Sequence, residues 1–302
     1  MAQSLRVVSA DDGPPHITEI PPPDRPVHDL RTKLSRVRAL LLTALGFPRG
    51  FFVQYPYTEH LQPVTEPYPE VEALMAAAPW HEFLGEMRAQ REAIAGFGAD
   101  PRDPVLARGM FPGLDGMAAY TAVRKFRPRQ IVEIGSGDST YFLARGVRDN
   151  GFGRVTCIDP QPRREIAALD VDFRMRLMTN ADADLAGRLE PGDILFIDSS
   201  HIMLPGMDVD IQFNRLFPRL KPGVVVHVHD IFLPDDYPAH WRAWNFSEQN
   251  ALVGWLVSGW FDVIWASRYA CTRHHAAVAD VCGGVPRIED PVRGGSLWMR
   301  KS

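Results

Sequence analysis

From residue 130 onward, short apolar runs alternate with stretches of helical spacing, and that rhythm restricts the fold more than any other feature of the chain. The runs fall at Gln130–Ile134, Arg154–Ile158, Phe173–Leu177, Asp193–Ile197 and Val224–Val228. They are rich in Ile, Val and Leu, as strands covered on both faces must be. Between them, Ser139–Val147 and Met207–Leu220 carry helical periodicity, and strand–helix–strand alternation specifies a parallel sheet. Two further runs, "FDVIWASRY" and "GSLWMRK", read as strands joined by a Gly-rich loop without a helix, hence antiparallel to one another. The expected class is α/β, with a Rossmann-like, seven-stranded, mostly parallel sheet ending in an antiparallel hairpin.

The segment ahead of the sheet reads differently. Residues 1–27 hold "DDGPP" and "PPPDRP" and too little apolar material to order themselves. From His28 to Leu45, the positions Leu30, Leu34, Val37, Leu40, Leu41 and Leu45 recur at helical spacing before "GFPRG" ends the run. Tyr68–Ala77 and His81–Ala95 continue the helical pattern. We therefore expect a Pro-rich arm at 1–27, a helical cap at 28–112 and the α/β domain at 113–302. A chain of 302 residues, 45% hydrophobic, can bury a full core of this kind. Its net charge of -4, with basic residues scattered rather than blocked, gives no electrostatic footprint for nucleic acid or an anionic membrane. No run approaches the roughly 20 apolar residues of a bilayer span, and a cytoplasmic location is expected. Cys157, Cys271 and Cys282 lack metal-knuckle spacing and are expected as reduced thiols. A homo-oligomer is left open.

The stretch "VEIGSGDST" takes the first strand into a helix through Gly135, Ser136 and Gly137. Glycines there let the backbone approach a ligand closely. A dinucleotide fingerprint needs a third glycine three residues after Gly137, but Thr140 stands there. The pattern acid-x-Gly-x-Gly, formed by Glu133, Gly135 and Gly137, instead sets a carboxylate beside a ligand carrying an ammonium, such as S-adenosylmethionine. The next strand ends in Asp159, placed to accept hydrogen bonds from ribose hydroxyls. Two later strands also end in polar groups. "ILFIDSSH" supplies Asp198 and His201, and "VVVHVHDI" supplies His229 and Asp230. In an open parallel sheet, these ends converge on one crevice.

Over roughly residues 127–231 and the closing "GGSLWMRK", the sequence resembles class I S-adenosylmethionine-dependent methyltransferases. Within them it is similar to the metal-dependent sugar O-methyltransferases of the macrocin and mycinamicin group. The resemblance implies S-adenosylmethionine held by Glu133, Gly135, Ser136, Gly137 and Asp159. It also implies metal acids at Asp198 and Asp230 and a general base at His201. His229, the third candidate metal ligand beside Asp198 and Asp230, stands where that group has a carboxylate. Magnesium prefers oxygen ligands and imidazole suits transition metals, so the divalent cation could be of either kind. The expected reaction is methyl transfer to a hydroxyl of a small-molecule acceptor. The cation lowers the hydroxyl pKa and a neutral histidine takes the proton.

Other readings stay open. Asp198, His201 and His229 could form the two-His, one-carboxylate face of a non-haem metal oxygenase, or the fold could be a non-catalytic nucleotide-binding module. His227 is expected as a core histidine. "CTRHH" at Cys271–His275 is expected as a surface loop rather than a zinc site. Tyr237, Trp241 and Trp244 are candidates for an acceptor wall, while Trp255, Trp260 and Trp265 are expected in the core.

Overall fold

All seven expected strands are present, and they join in one sheet of order β3-β2-β1-β4-β5-β7-β6. The computed structural model describes residues 30–47, 57, 66–106, 111, 113–238, 241, 244–283, 285 and 294–302. The arm expected at 1–27 lies outside the described residues. By its contacts the chain divides into two compact units, Met1–Gln62 and Pro63–Ser302. The first contains helix α1, Leu30–Ala44.

The second unit opens with helices α2 (Pro69–Ala77), α3 (Trp80–Ala89), α4 (Arg91–Ala95) and α5 (Gly113–Phe126). Val71, Met75, Phe83, Leu84, Met87 and Ile94 are buried at helical spacing and join the main core. The helices expected in one cap are thus split, with α1 in the first unit and α2–α4 in the unit that carries the sheet.

Strand β1 (Gln130–Ile134) is followed by α6 (Asp138–Asn150), β2 (Arg154–Ile158), β3 (Asp172–Arg174), α7 (Ala183–Ala186), β4 (Ile194–Ile197), α8 (Asp208–Ile211) and β5 (Val225–Val228). These five strands are parallel. β4 and β5 are buried along their whole length, as a central parallel strand covered by helices on both faces must be. The helix expected over 207–220 is one turn of α-helix, then a π segment at Gln212–Leu216 and a 3-10 turn at Phe217–Arg219. Pro218 cannot donate to a helical ladder, which accounts for the change of pitch at its end.

The remaining elements are α9 (Glu248–Val257), β6 (Phe261–Ala266), α10 (Ser267–Arg273), α11 (His275–Cys282) and β7 (Leu297–Lys301). β7 runs antiparallel to both β5 and β6. The connection between β6 and β7 corrects the sequence reading, since it holds two helices where a Gly-rich loop was expected. Ala270, Cys271, Val278, Val281 and Cys282 are buried at helical spacing; the polar "TRHH" inside that pattern masked it. "CTRHH" accordingly spans the end of α10 and the start of α11, with His274 between them, and is not a surface loop; all three cysteines are buried. Trp265 is fully buried as expected, whereas Trp260 is 39% exposed, with the Lys301 ammonium 4.7 Å from its ring centre. Among the described residues no helix is long and apolar enough to cross a membrane.

Candidate active site

The parallel register decides which residues meet. Ile134 pairs with Ile158 on one side and Ile197 on the other, and Ile197 pairs with Val228. One step beyond that row lie Gly135, Asp159, Asp198 and His229, at the carboxyl ends of four neighbouring strands. β1 and β4 are adjacent, with the chain winding outward from them in opposite directions. Crevices form at such a switch point. Here a cavity of about 590 Å³ is lined by Gly135, Ser136, Gly137, Asp159, Met178 and Asp198, among others.

The two glycines of the turn serve different ends. Gly135 has φ +82, and a Cβ there would fall 1.8 Å from the carbonyl oxygen of Asp198. Close approach of the β1 and β4 ends requires a glycine. Gly137 has no protein atom nearer than 4.0 Å to a built Cβ, so protein packing does not demand its glycine. The space belongs to the cavity. Asp159 accepts hydrogen bonds from the N–H of Ser136 at 2.7 Å and its hydroxyl at 3.0 Å, and from the N–H of Gln161 at 2.7 Å. This ties the second strand end to the turn.

Glu133 does not line the cavity. It is fully buried behind the turn, accepting from Ser139 Oγ at 2.7 Å, Thr140 Oγ1 at 2.8 Å and Cys157 Sγ at 3.0 Å. Burial raises its pKa to about 7 against the opposing effect of those three donors. Its position makes it a support for the first turn of α6, and the hydroxyl of Thr140 in turn accepts the N–H of Gly137 at 3.0 Å.

Beyond the turn, four side chains alternate between acid and imidazole. Asp198 Oδ1 lies 3.6 Å from His201 Nε2 and 3.5 Å from His229 Nδ1. Asp230 reaches the same two rings, Oδ2 at 3.4 Å from His201 Nε2 and Oδ1 at 3.5 Å from His229 Nδ1. Donor atoms of Asp198, His201 and Asp230 all lie within 4.8 Å of one another, a spacing that a divalent cation could gather. The two carboxylates would offer the oxygen ligands that magnesium or manganese prefers, so His201 Nε2 beside them is not needed as a ligand. His201 and Asp230 both have left-handed backbones, φ 60 and φ 56. Such strain in residues with side chains persists where the surroundings over-determine it, often at functional sites.

Each imidazole is braced from outside by a buried acid that the sequence reading did not single out. Glu248, at the start of α9, places Oε2 2.8 Å from His201 Nδ1. Asp115, in the first turn of α5, places Oδ2 3.4 Å from His229 Nε2 and accepts the N–H groups of Gly295 and Ser296 at 2.9 and 3.1 Å. No local signal marked either acid; their partners lie 47 and 114 residues away in sequence. His227 faces the core, stacked on Phe196 at 3.8 Å, with Nε2 2.9 Å from Ser296 Oγ. Burial and the neighbouring His229 push its pKa well down.

The electrostatics follow from this packing. Burial works against charge on His201, but the hydrogen bond and charge of Glu248 outweigh it, with help from Asp230 and Asp198, and the pKa rises to about 9. His229 is likewise held well above its ordinary range against burial, by the charges of Asp230 and Asp198. Asp198 is held low despite burial, chiefly by His229. With the carboxylates bare, both rings keep their protons at neutral pH. A cation seated between the carboxylates would take over the role of those protons.

An aromatic cluster approaches from the segment before α9. The Phe246 ring lies 4.9 Å from His201, Trp244 5.3 Å from Phe246 and Trp241 4.8 Å from Trp244. Tyr237 is 6.0 Å from Phe246. The three residues singled out as an acceptor wall therefore form one group, which reaches the site through Phe246.

Comparison with known proteins adds a family match over part of the chain. Residues 132–231, 100 of the 302, match the family described as Methyltransferase domain. No curated protein matches the chain. Among solved structures it is similar to an O-methyltransferase from Bacillus cereus in complex with SAH, at 15% identity over 75% of this chain and 93% of that one, TM-score 0.41. It is also similar to TomG, an O-methyltransferase from Streptomyces achromogenes involved in tomaymycin synthesis, solved with SAM, at 17% identity over 79% and 99% of the two chains, TM-score 0.38. A third is MycE, a methyltransferase of mycinamycin biosynthesis solved with Mg, SAH and mycinamycin VI, at 23% identity over 36% of this chain and 30% of that one, TM-score 0.25.

Proposed function

We propose a function for a chain whose residues 132–231 belong to the methyltransferase domain family and whose sheet has the class I topology: it is an S-adenosylmethionine-dependent O-methyltransferase acting on a hydroxyl of a small-molecule acceptor. The observation that carries this reading is the meeting, at one sheet switch point, of a glycine-lined cavity with the Asp198, His201, His229 and Asp230 cluster. Gly137 leaves room for the methyl donor, and Asp159 stands where ribose hydroxyls would replace its present partners.

Asp198 and Asp230 would hold a divalent cation, whose chemistry is to lower the pKa of a nearby hydroxyl. His229, braced by Asp115, keeps the two carboxylates in place. His201 receives the acceptor's proton on Nε2 as the new O–CH₃ bond forms and the S–CH₃ bond breaks. Orientation of the two reactants supplies much of the acceleration. The aromatic cluster ending in Phe246 suits an acceptor with a flat or ring-shaped face. An oxygenase built on Asp198, His201 and His229 would leave the glycine-lined cavity and the family match without a role.

The test is calorimetry with S-adenosylhomocysteine, followed by a screen of phenols and glycosides for methyl transfer. Binding of the cofactor product with turnover on a hydroxyl supports the reading, whereas NAD binding with no response to S-adenosylhomocysteine refutes it.

A further inference from the structure

Glu248 has no exposed surface, and no strand-end motif includes it. Its Oε2 lies 2.8 Å from His201 Nδ1, and its Oε1 meets no hydrogen-bond partner among the described residues. A buried carboxylate costs several kcal/mol unless a partner compensates, and among the described residues the imidazole is the side chain that hydrogen-bonds it.

The surrounding backbone keeps that pair in register. The carbonyl of His201 accepts N–H groups from Ser247 at 2.9 Å and Glu248 at 3.2 Å. Ser247 Oγ accepts the N–H of Met203 at 2.9 Å. The loop after β4 is therefore stitched to the first turn of α9, with His201 in a left-handed conformation at the seam. Three acids surround one ring. Asp230 and Asp198 stand 3.4 and 3.6 Å from Nε2, contacts markedly longer than the 2.8 Å between Glu248 and Nδ1. In the neutral ring the single N–H belongs with Glu248.

We propose that Glu248 is a positioning residue, accepting the Nδ1–H of His201 so that the Nε2 lone pair faces the acceptor hydroxyl. This rests on His201 being the proton acceptor of the proposed reaction. The hydroxyl proton passes to Nε2, the methyl leaves sulfur for oxygen, and Glu248 faces the resulting imidazolium. Nε2 then returns its proton to solvent. The same logic governs histidine–acid couples in hydrolases, where the acid fixes the tautomer and stabilises the charged ring.

The first part of the test needs no acceptor. The full chain, labelled with ¹⁵N-histidine and held at a pH where the ring is neutral, should show His201 protonated on Nδ1, with the signal identified by its loss in His201→Gln. Glu248→Gln should shift the tautomer ratio towards Nε2–H by about tenfold or more, since a hydrogen bond to a charged group is being replaced by one to a neutral amide. Glu248→Asp should restore part of the wild-type ratio. On an acceptor found by the phenol and glycoside screen, Glu248→Gln should lower kcat by about 10²-fold or more, with KM and S-adenosylhomocysteine affinity nearly unchanged. An Nε2–H tautomer in the wild-type protein overturns the proposal, and so does a Glu248→Gln variant with unaltered tautomer and kcat. Should Glu248→Gln fail to fold, the wild-type tautomer decides. Absence of methyl transfer in the wild type counts against the proposed function, whereas a wrong tautomer counts against Glu248, so the two failures are distinct.

Discussion

Gly135 and Gly137 are two residues apart, yet alanine at each should produce opposite defects. At Gly135 a Cβ would lie 1.8 Å from the Asp198 carbonyl oxygen and 2.8 Å from its carbon, on a backbone with φ +82. The left-handed conformation costs a side-chain-bearing residue about 1–2 kcal/mol. Forcing apart two packed strand ends adds about 1–3 kcal/mol. Gly135→Ala should therefore destabilise by about 2–5 kcal/mol, a large share of the roughly 5–15 kcal/mol that holds a domain folded. At about 2–4 °C per kcal/mol, the melting temperature should fall by about 5–20 °C. Gly137→Ala meets no protein atom within normal contact distance, so the ligand-free melting temperature should stay within about 2 °C of wild type. Its methyl projects into cavity space, and S-adenosylhomocysteine should bind at least tenfold more weakly, with Gly137→Val weaker still. Scanning calorimetry without ligand and titration calorimetry with it give both numbers. A stable Gly135→Ala, or a Gly137→Val that binds S-adenosylhomocysteine as wild type does, would refute the division of labour in the turn.

The remaining predictions concern the acid–imidazole cluster. Asp198→Asn and Asp230→Asn should each weaken Mn²⁺ binding by at least tenfold in titration calorimetry, because two facing carboxylates are the charged donors of the site; undiminished binding in both variants would exclude a cation there. His201→Gln should lower turnover by about 10²–10⁴-fold with S-adenosylhomocysteine affinity unchanged, and full turnover in this variant would move the proton acceptor elsewhere. In metal-free protein, turnover should climb as pH rises towards about 9, where His201 loses its proton. Adding Mn²⁺ should shift that limb to lower pH, and a limb that stays put would show that no cation displaces the proton. The same raised pKa stabilises the folded state fully below about 6.5, the ordinary histidine value, and that contribution is lost as pH rises through about 9. The melting temperature of metal-free protein should fall across this window, and His201→Gln should flatten the fall.

Much of the fold was legible because its causes are local. Ile131, Val132, Ile194, Leu195, Val225 and Val226 are buried in adjoining strands, and runs of such residues on the scale of a strand advertise themselves. The helices α10 and α11 were not legible, because "TRHH" interrupts an apolar face whose period appears when Ala270 and Cys271 are read together with Val278, Val281 and Cys282. Trp260 was expected inside on hydrophobicity, but it ends at a sheet edge under Lys301, where an amphipathic ring is stable. The split of the leading helices between two units was likewise invisible, since helical spacing says that a face is covered but not by what.

The site divides along the same line. Asp159, Asp198 and His229 follow their strands directly, so knowing the strand ends and the parallel register was enough to bring them together. Glu133 was read as a ligand carboxylate because its spacing from the glycines is right. Spacing cannot show which way a strand residue points, and this one turns towards Ser139, Thr140 and Cys157. Asp115 and Glu248 lay beyond reach for a different reason. Each lies in a helix's first turn, where an acid is ordinary and is explained by the helix dipole alone. Their role exists only after folding, when α5 carries Asp115 under β7 and His229, and α9 carries Glu248 to His201. In the proposed reaction the strand ends would supply the groups that face the reactants, while two helices from distant parts of the chain would supply the acids that aim them. A substitution at Asp115 or Glu248 should consequently disturb the cluster as much as one at a strand end, although neither residue lines the cofactor cavity.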